Sequence, residues 1–135
     1  MKSRETLIRL KRFQVDEKRR QVAQIETMIA EFERMNTELE REIVTEQSRA
    51  GISDPGHFAY PTYAKAATQR RDNLLRSISD LKVQLESARA HLADAFEELK
   101  KVEILEERDH QRERMEDAAV EQAELDRIGG QRVRA

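Results

Sequence analysis

The most constraining feature of this chain is a hydrophobic repeat that returns every seven residues in each half of the sequence. The repeat is carried by Ile8, Val15, Val22, Ile29, Asn36 and Ile43, and later by Ile78, Leu85, Leu92 and Leu99. Each series has companions three or four residues away, such as Phe32 and Leu81. Two positions per heptad are the pattern of coiled-coil helices. The sequence therefore predicts two long helices.

One short break separates the two series. Residues 51–61 hold both prolines, two of the four glycines, and the Asp-Pro and Tyr-Pro steps, which disfavour helix at the preceding residue. We expect one helix over about 3–50, a turn over 51–61, a second helix over about 62–128, and a tail over 129–135 after a Gly129-Gly130 cap. The predicted fold is all-α, a single antiparallel two-helix coiled-coil hairpin with an overhanging C-terminal helix.

The predicted turn also sets the register of the hairpin. If it is centred between Pro55 and Gly56, positions whose numbers sum to about 111 lie side by side, and Met1 lies beside His110. The second helix then projects past the first, and we call residues 111–128 the overhang. Asn36 is a polar residue in the apolar series, opposite Leu74 and Leu75. Such a residue fixes register or partner choice at a cost in stability.

Composition supports long helices and limits the alternatives. The chain is 38% hydrophobic and 39% charged, which suffices for a narrow apolar stripe but not for a closed core. Disorder is the competing interpretation, and the ordered repeat argues against it. The lack of cysteine excludes disulfides and thiolate chemistry. No apolar run has the length of a membrane span, so we expect a soluble, cytoplasmic protein without direct membrane insertion.

Charge is segregated along the chain. Residues 1–20 carry eight Lys/Arg against three Asp/Glu, whereas residues 94–126 carry thirteen acids against five bases. A hairpin brings these segments together, so we expect them to pair. The alternative use of the basic segment is nucleic-acid binding. It is disfavoured because the opposing arm is acidic and the sequence pI is about 6.0.

The sequence contains no recognisable catalytic constellation, so we expect no enzymatic activity and no cofactor. The nearest approach to a metal motif is Glu107-x-x-His110, a spacing found in di-metal carboxylate bundles. A single copy in so acidic a segment is expected by chance. Three of the six aromatic residues, Phe58, Tyr60 and Tyr63, lie within the turn region. They either cap the coiled coil or bind a partner.

Three segments resemble a known family. They are Leu7-Ile-Arg-Leu-Lys-Arg-Phe-Gln-Val15, Phe58-Ala-Tyr-Pro-Thr-Tyr-Ala-Lys-Ala-Ala67 and Ala95-Phe-Glu-Glu-Leu-Lys-Lys-Val-Glu103. The chain resembles the flagellar export protein FliJ in its alpha-proteobacterial form. The resemblance implies a non-enzymatic component of the flagellar type III export apparatus, cytoplasmic and peripheral to the flagellar basal body. It implies a stalk that engages a hexameric export ATPase and links it to the membrane export gate, with export chaperones as further partners.

Hairpin geometry then suggests where such partners bind. We expect the ATPase to contact the exposed arginines near the chain ends, which are Arg9, Arg12, Arg108, Arg112 and Arg114. We expect a second partner to contact Phe58, Tyr60 and Tyr63. Two rival hypotheses remain: a coiled-coil scaffold or export chaperone that acts as a dimer without an ATPase, and a di-metal bundle enzyme.

Overall fold

The fold is a helical hairpin. The computed structural model describes the backbone of residues 2–134 and the side-chain surroundings of residues 4–131. Helix α1 is Lys2–Ala50 and helix α2 is Thr62–Arg134, and within these described residues no strand occurs. The two helices pack against each other, which confirms the predicted all-α hairpin.

The hairpin divides into two compact units, to which both helices contribute. The turn unit is Asp16–Ala93, and the terminal unit comprises the residues up to Val15 together with those from Asp94 onward. In the turn unit the heptad residues form one core cluster, composed of Val22, Ile29, Leu81, Leu85 and Ala88, with Ile25, Phe32 and Leu92 packed against it. In the terminal unit Val15 and Leu99 are buried. The buried residues therefore follow the predicted seam.

The turn begins where α1 ends at a glycine. Gly51 has a φ of 70°, a left-handed conformation that glycine adopts without a Cβ penalty. The Ile52 amide donates to the Gln47 carbonyl at 3.2 Å, which is the long hydrogen bond of a Schellman cap. At the start of α2, the Pro61 carbonyl accepts from the Lys65 amide at 3.0 Å. Proline cannot donate, and at this position it need not.

The C-terminal end of α2 differs from the sequence-based expectation. We expected a cap at Gly129-Gly130 and a tail over 129–135, but α2 continues through both glycines to Arg134. Neither glycine has positive φ. Glycine permits a left-handed cap but does not impose one, and its cost within a helix is only about 1 kcal/mol relative to alanine. The expected neighbour of His110, Met1, lies outside the described residues.

The overhang is exposed along its whole length. Every side chain from His110 to Gln131 is exposed, whereas Asp109 just before it is half-buried. No described helix is long and apolar enough to cross a membrane.

Candidate partner-binding surfaces

Ion pairs join α1 to α2 within the terminal unit. The Lys11 ammonium lies 2.8 Å from the Glu98 carboxylate, Arg12 lies 3.7 Å from Glu103, and Arg4 pairs with Asp109. The Lys11 hydrogen bond and positive charge lower the pKa of Glu98 below its ordinary value. These contacts confirm the predicted pairing of the basic N-terminal segment with the acidic part of α2.

The seam of the terminal unit ends in a charged cluster. Glu106 continues the series of Leu99 by one heptad, and only 8% of its surface is exposed. Its carboxylate lies 3.1 Å from His110 Nε2 and 3.9 Å from the Arg4 guanidinium. Arg4 also donates to the Leu105 carbonyl at 3.4 Å. Charged contacts thus replace aliphatic packing just before the overhang.

Five arginines expected to meet a partner are all exposed. We call Arg9, Arg12, Arg108, Arg112 and Arg114 the terminal arginines. Arg12 pairs with Glu103, and Arg114 lies 3.5 Å from Glu107 in its own helix. The other three make no ion pair with any residue whose side chain is described. Their guanidinium groups have fixed donor geometry for a partner's carboxylates.

The three aromatic residues near the turn have different surroundings. Tyr60 is buried, and its hydroxyl accepts from Gln47 Nε2 at 3.1 Å, so this side chain caps the coiled coil. Phe58 is 96% exposed and stacks on His57, with ring centroids 4.7 Å apart. Tyr63 is half-exposed and donates from its hydroxyl to Glu42 at 2.8 Å. That hydrogen bond and the negative charge of Glu42 raise the pKa of Tyr63.

A groove that sequence reasoning missed lies in the turn unit. Its volume is about 510 Å³, and it is lined by Phe32, Met35, Leu39, Tyr63 and Leu74 together with Glu38, Glu42, Arg70, Asn73 and Ser77. Met35 precedes the seam position Asn36 and belongs to no heptad series. Met35 is exposed beside the half-buried Phe32 and Leu39, and this exposed apolar side chain was the available signal of the groove.

Asn36 itself lies in the seam, as predicted from its heptad position. Its Nδ2 donates to Glu40 Oε1 at 3.4 Å. Its Oδ1 is buried and has no hydrogen-bond partner among the described residues. A polar atom left in this state destabilises the folded protein.

The residues of the Glu107-x-x-His110 motif have other contacts. Glu107 pairs with Arg114, and His110 contacts Glu106. Among the described residues no group of three or more His, Cys, Asp or Glu side chains is arranged to hold a metal ion.

The sequence of this chain matches one protein family over its whole length. The family described as "Flagellar FliJ protein" matches residues 1–135. The chain belongs to the FliJ family. This membership agrees with the resemblance of its three sequence segments. Comparisons with curated proteins and with solved structures gave no match.

Membership in the FliJ family assigns the chain to a cellular machine. FliJ proteins are non-catalytic components of flagellar type III protein export, so this FliJ-family chain has its partners within the export apparatus. The terminal arginines, the overhang and Phe58 are its most accessible candidate contacts.

Proposed function

We propose that this FliJ-family chain is a stalk and adaptor that engages and regulates the hexameric flagellar export ATPase and couples it to the membrane export gate. It acts in the cytoplasm, peripheral to the flagellar basal body, and export chaperones are further partners. The observation that carries the proposal is the fully exposed overhang, which continues α2 beyond the packed part of the terminal unit.

The overhang supports an ATPase contact for an energetic reason. An isolated helix of this length is marginally stable in water. A protein partner that covers part of it lowers the free energy of the helix. Arg112 and Arg114 lie in its first turn and Arg108 lies just before it, and arginine is enriched among residues that dominate interface energies.

The turn unit supports a second, separate contact. Phe58 exposes nearly its whole ring, and burying an aromatic ring at an interface is favourable. We assign Phe58 and Tyr63 to the export gate or an export chaperone. Tyr60 is not assigned to this contact, since its own ring is already buried.

Stimulation of ATP hydrolysis tests the ATPase contact. The purified export ATPase of the same organism is mixed with the full chain, with a chain truncated after Asp109, or with the full-length triple variant Arg108→Glu, Arg112→Glu, Arg114→Glu. We expect stimulation by the full chain and loss of stimulation in both variants. The matched control is Arg76→Glu, an exposed arginine of the turn unit, which should stimulate like the unmodified chain.

Two results would contradict the proposal. Equal stimulation by the full and truncated chains would exclude the overhang as the contact. No binding and no stimulation by any variant would instead favour a coiled-coil scaffold without an ATPase partner.

A further inference from the structure

Helix α2 carries a second heptad stripe, which runs along the overhang and slightly beyond both of its ends. Residues spaced alternately by four and three positions form what we call the outer stripe, which consists of Ile104, Arg108, Gln111, Met115, Ala118, Gln122, Leu125 and Gly129. Its large apolar members are exposed: Ile104 by 51%, Met115 by 72% and Leu125 by 62%. Side chains at this spacing lie along one side of a helix.

The outer stripe does not continue the seam that packs on α1. The seam series runs through Leu99 and Glu106, and the outer stripe is displaced from it by two residues, or about 200° around the helix. Consistent with this, Glu106 is buried while Ile104, two residues before it, is half-exposed. A partner for the outer stripe must therefore come from outside the hairpin.

We infer that the outer stripe pairs with the outer stripe of a second copy of this chain in antiparallel orientation. Opposed residues then have numbers that sum to 233. This register places Met115 against Ala118 of the other copy, which combines a large side chain with a small one. It also places Gln111 against Gln122, whose amides complement each other.

Charge selects this orientation over the parallel one. In the antiparallel register Arg114 lies beside Glu121 of the other copy, and two-fold symmetry makes this contact twice. Arg108 meets Leu125, which its aliphatic stem can cover. A parallel pair would instead place Arg108 against Arg108 of the other copy, which is a like-charge contact. It would also bring Glu121 next to Asp126, a second like-charge contact.

The pairing should be reversible and sensitive to salt. Three of the eight stripe residues are polar or charged and one is glycine. Such an interface is less apolar than those of permanent dimers, and its exposed charge pairs are screened by ions. We expect a dimer that forms with increasing protein concentration and dissociates at high salt.

Cysteine cross-linking tests the register directly, because the chain has no cysteine of its own. Full-length variants Gln111→Cys and Gln122→Cys are oxidised separately and as an equimolar mixture. We expect a disulfide-linked dimer in the mixture only. Within the antiparallel pair, identical positions lie eleven residues apart along the axis, about 16 Å, which is too far for a disulfide.

Other outcomes of the cross-linking would overturn the inference. Linkage of each variant to itself would show a parallel pair. Ser79→Cys, at an exposed position in the turn unit, reports the yield from random collisions. If the yield of the mixture is no higher than this, the outer stripes do not pair.

Charge reversal gives an independent test in analytical ultracentrifugation. Arg114→Glu or Glu121→Arg alone should weaken the dimer about tenfold, because each creates two like-charge contacts. The double variant should restore it. Asp117→Arg, which lies outside the stripe and outside the positions that flank it, is the matched control and should dimerise normally. Circular dichroism verifies that each variant remains helical.

An unrestored double variant, or equal loss in the control, would contradict the assigned contact. The chain is measured alone in both tests, without ATPase. A failure here therefore leaves the stalk proposal standing, and a failure of ATPase stimulation leaves the dimer standing.

Discussion

Replacing Asn36 by leucine should stabilise the hairpin, because the native side chain keeps a buried oxygen that has no hydrogen-bond partner in the described part of the chain. Removing an unsatisfied buried acceptor gains about 1–3 kcal/mol. A leucine at this half-buried position adds about 1 kcal/mol of apolar burial. Its higher helix propensity adds about 0.5 kcal/mol, which offsets the loss of the long hydrogen bond to Glu40. The expected gain in the free energy of unfolding is about 2–4 kcal/mol.

Urea unfolding followed by circular dichroism at 222 nm measures this gain. Thr37→Leu is the matched control, because Thr37 is exposed and the substitution changes helix propensity without touching the seam. We expect the control to shift the free energy of unfolding by about 0.5 kcal/mol or less. An unchanged or lowered stability of Asn36→Leu would refute the reasoning, since it would mean that the amide oxygen is satisfied in solution.

The same experiment bears on our proposal that Asn36 selects the register of the hairpin. An apolar residue at position 36 would permit pairings displaced by one heptad, and a mixture of registers buries less surface on average. The slope of the unfolding free energy against urea should then fall as stability rises. An unchanged slope would contradict a role in register selection.

Three further predictions concern single contacts. Lys11→Met should raise the pKa of Glu98 toward its ordinary value in an NMR titration, and an unchanged pKa would refute the contact. Because the pKa of Glu98 is lowered in the folded state, its contribution to stability is present above the ordinary glutamate pKa and is lost as pH falls through the lowered pKa. Gly51→Ala should destabilise the protein by about 1–2 kcal/mol in thermal unfolding because its φ is 70°, and an unchanged melting temperature would exclude that conformation. Tyr60→Phe should lower the free energy of unfolding by about 1 kcal/mol through the lost Gln47 hydrogen bond, which equal stability of the variant would disprove.

Heptad periodicity was sufficient to predict the fold because it depends on local geometry. Val22 and Ile29 recur on one side of α1, and Leu81 and Leu85 recur on one side of α2, so each helix can bury them only against a partner. The proline-rich and glycine-rich break was short enough to make that partner the other helix. The short break also brings the basic N-terminal segment beside the acidic part of α2, so their pairing could be predicted from the sequence.

The candidate surfaces were less predictable, because exposure depends on how neighbouring side chains pack. Phe58 and Tyr60 are two residues apart and equally aromatic, yet one is solvent-exposed and the other buried. The groove beside Met35 needed both helices in place before it could be recognised. Gly129 and Gly130 were predicted to cap α2 because glycine is common in helix caps, but the sequence does not reveal their φ angles, which are not positive.

The sequence by itself determined that two helices form, where α1 ends, and that they must share a seam, since these outcomes follow from periodicity and from glycine and proline chemistry. Tertiary structure alone decided that the Asn36 amide oxygen lacks a hydrogen-bond partner among the described residues, and that Phe58 rather than Tyr60 faces solvent. It also decided that Lys11 contacts Glu98. Those outcomes depend on distances between residues far apart in the chain, and a linear pattern of hydrophobicity and charge does not contain them.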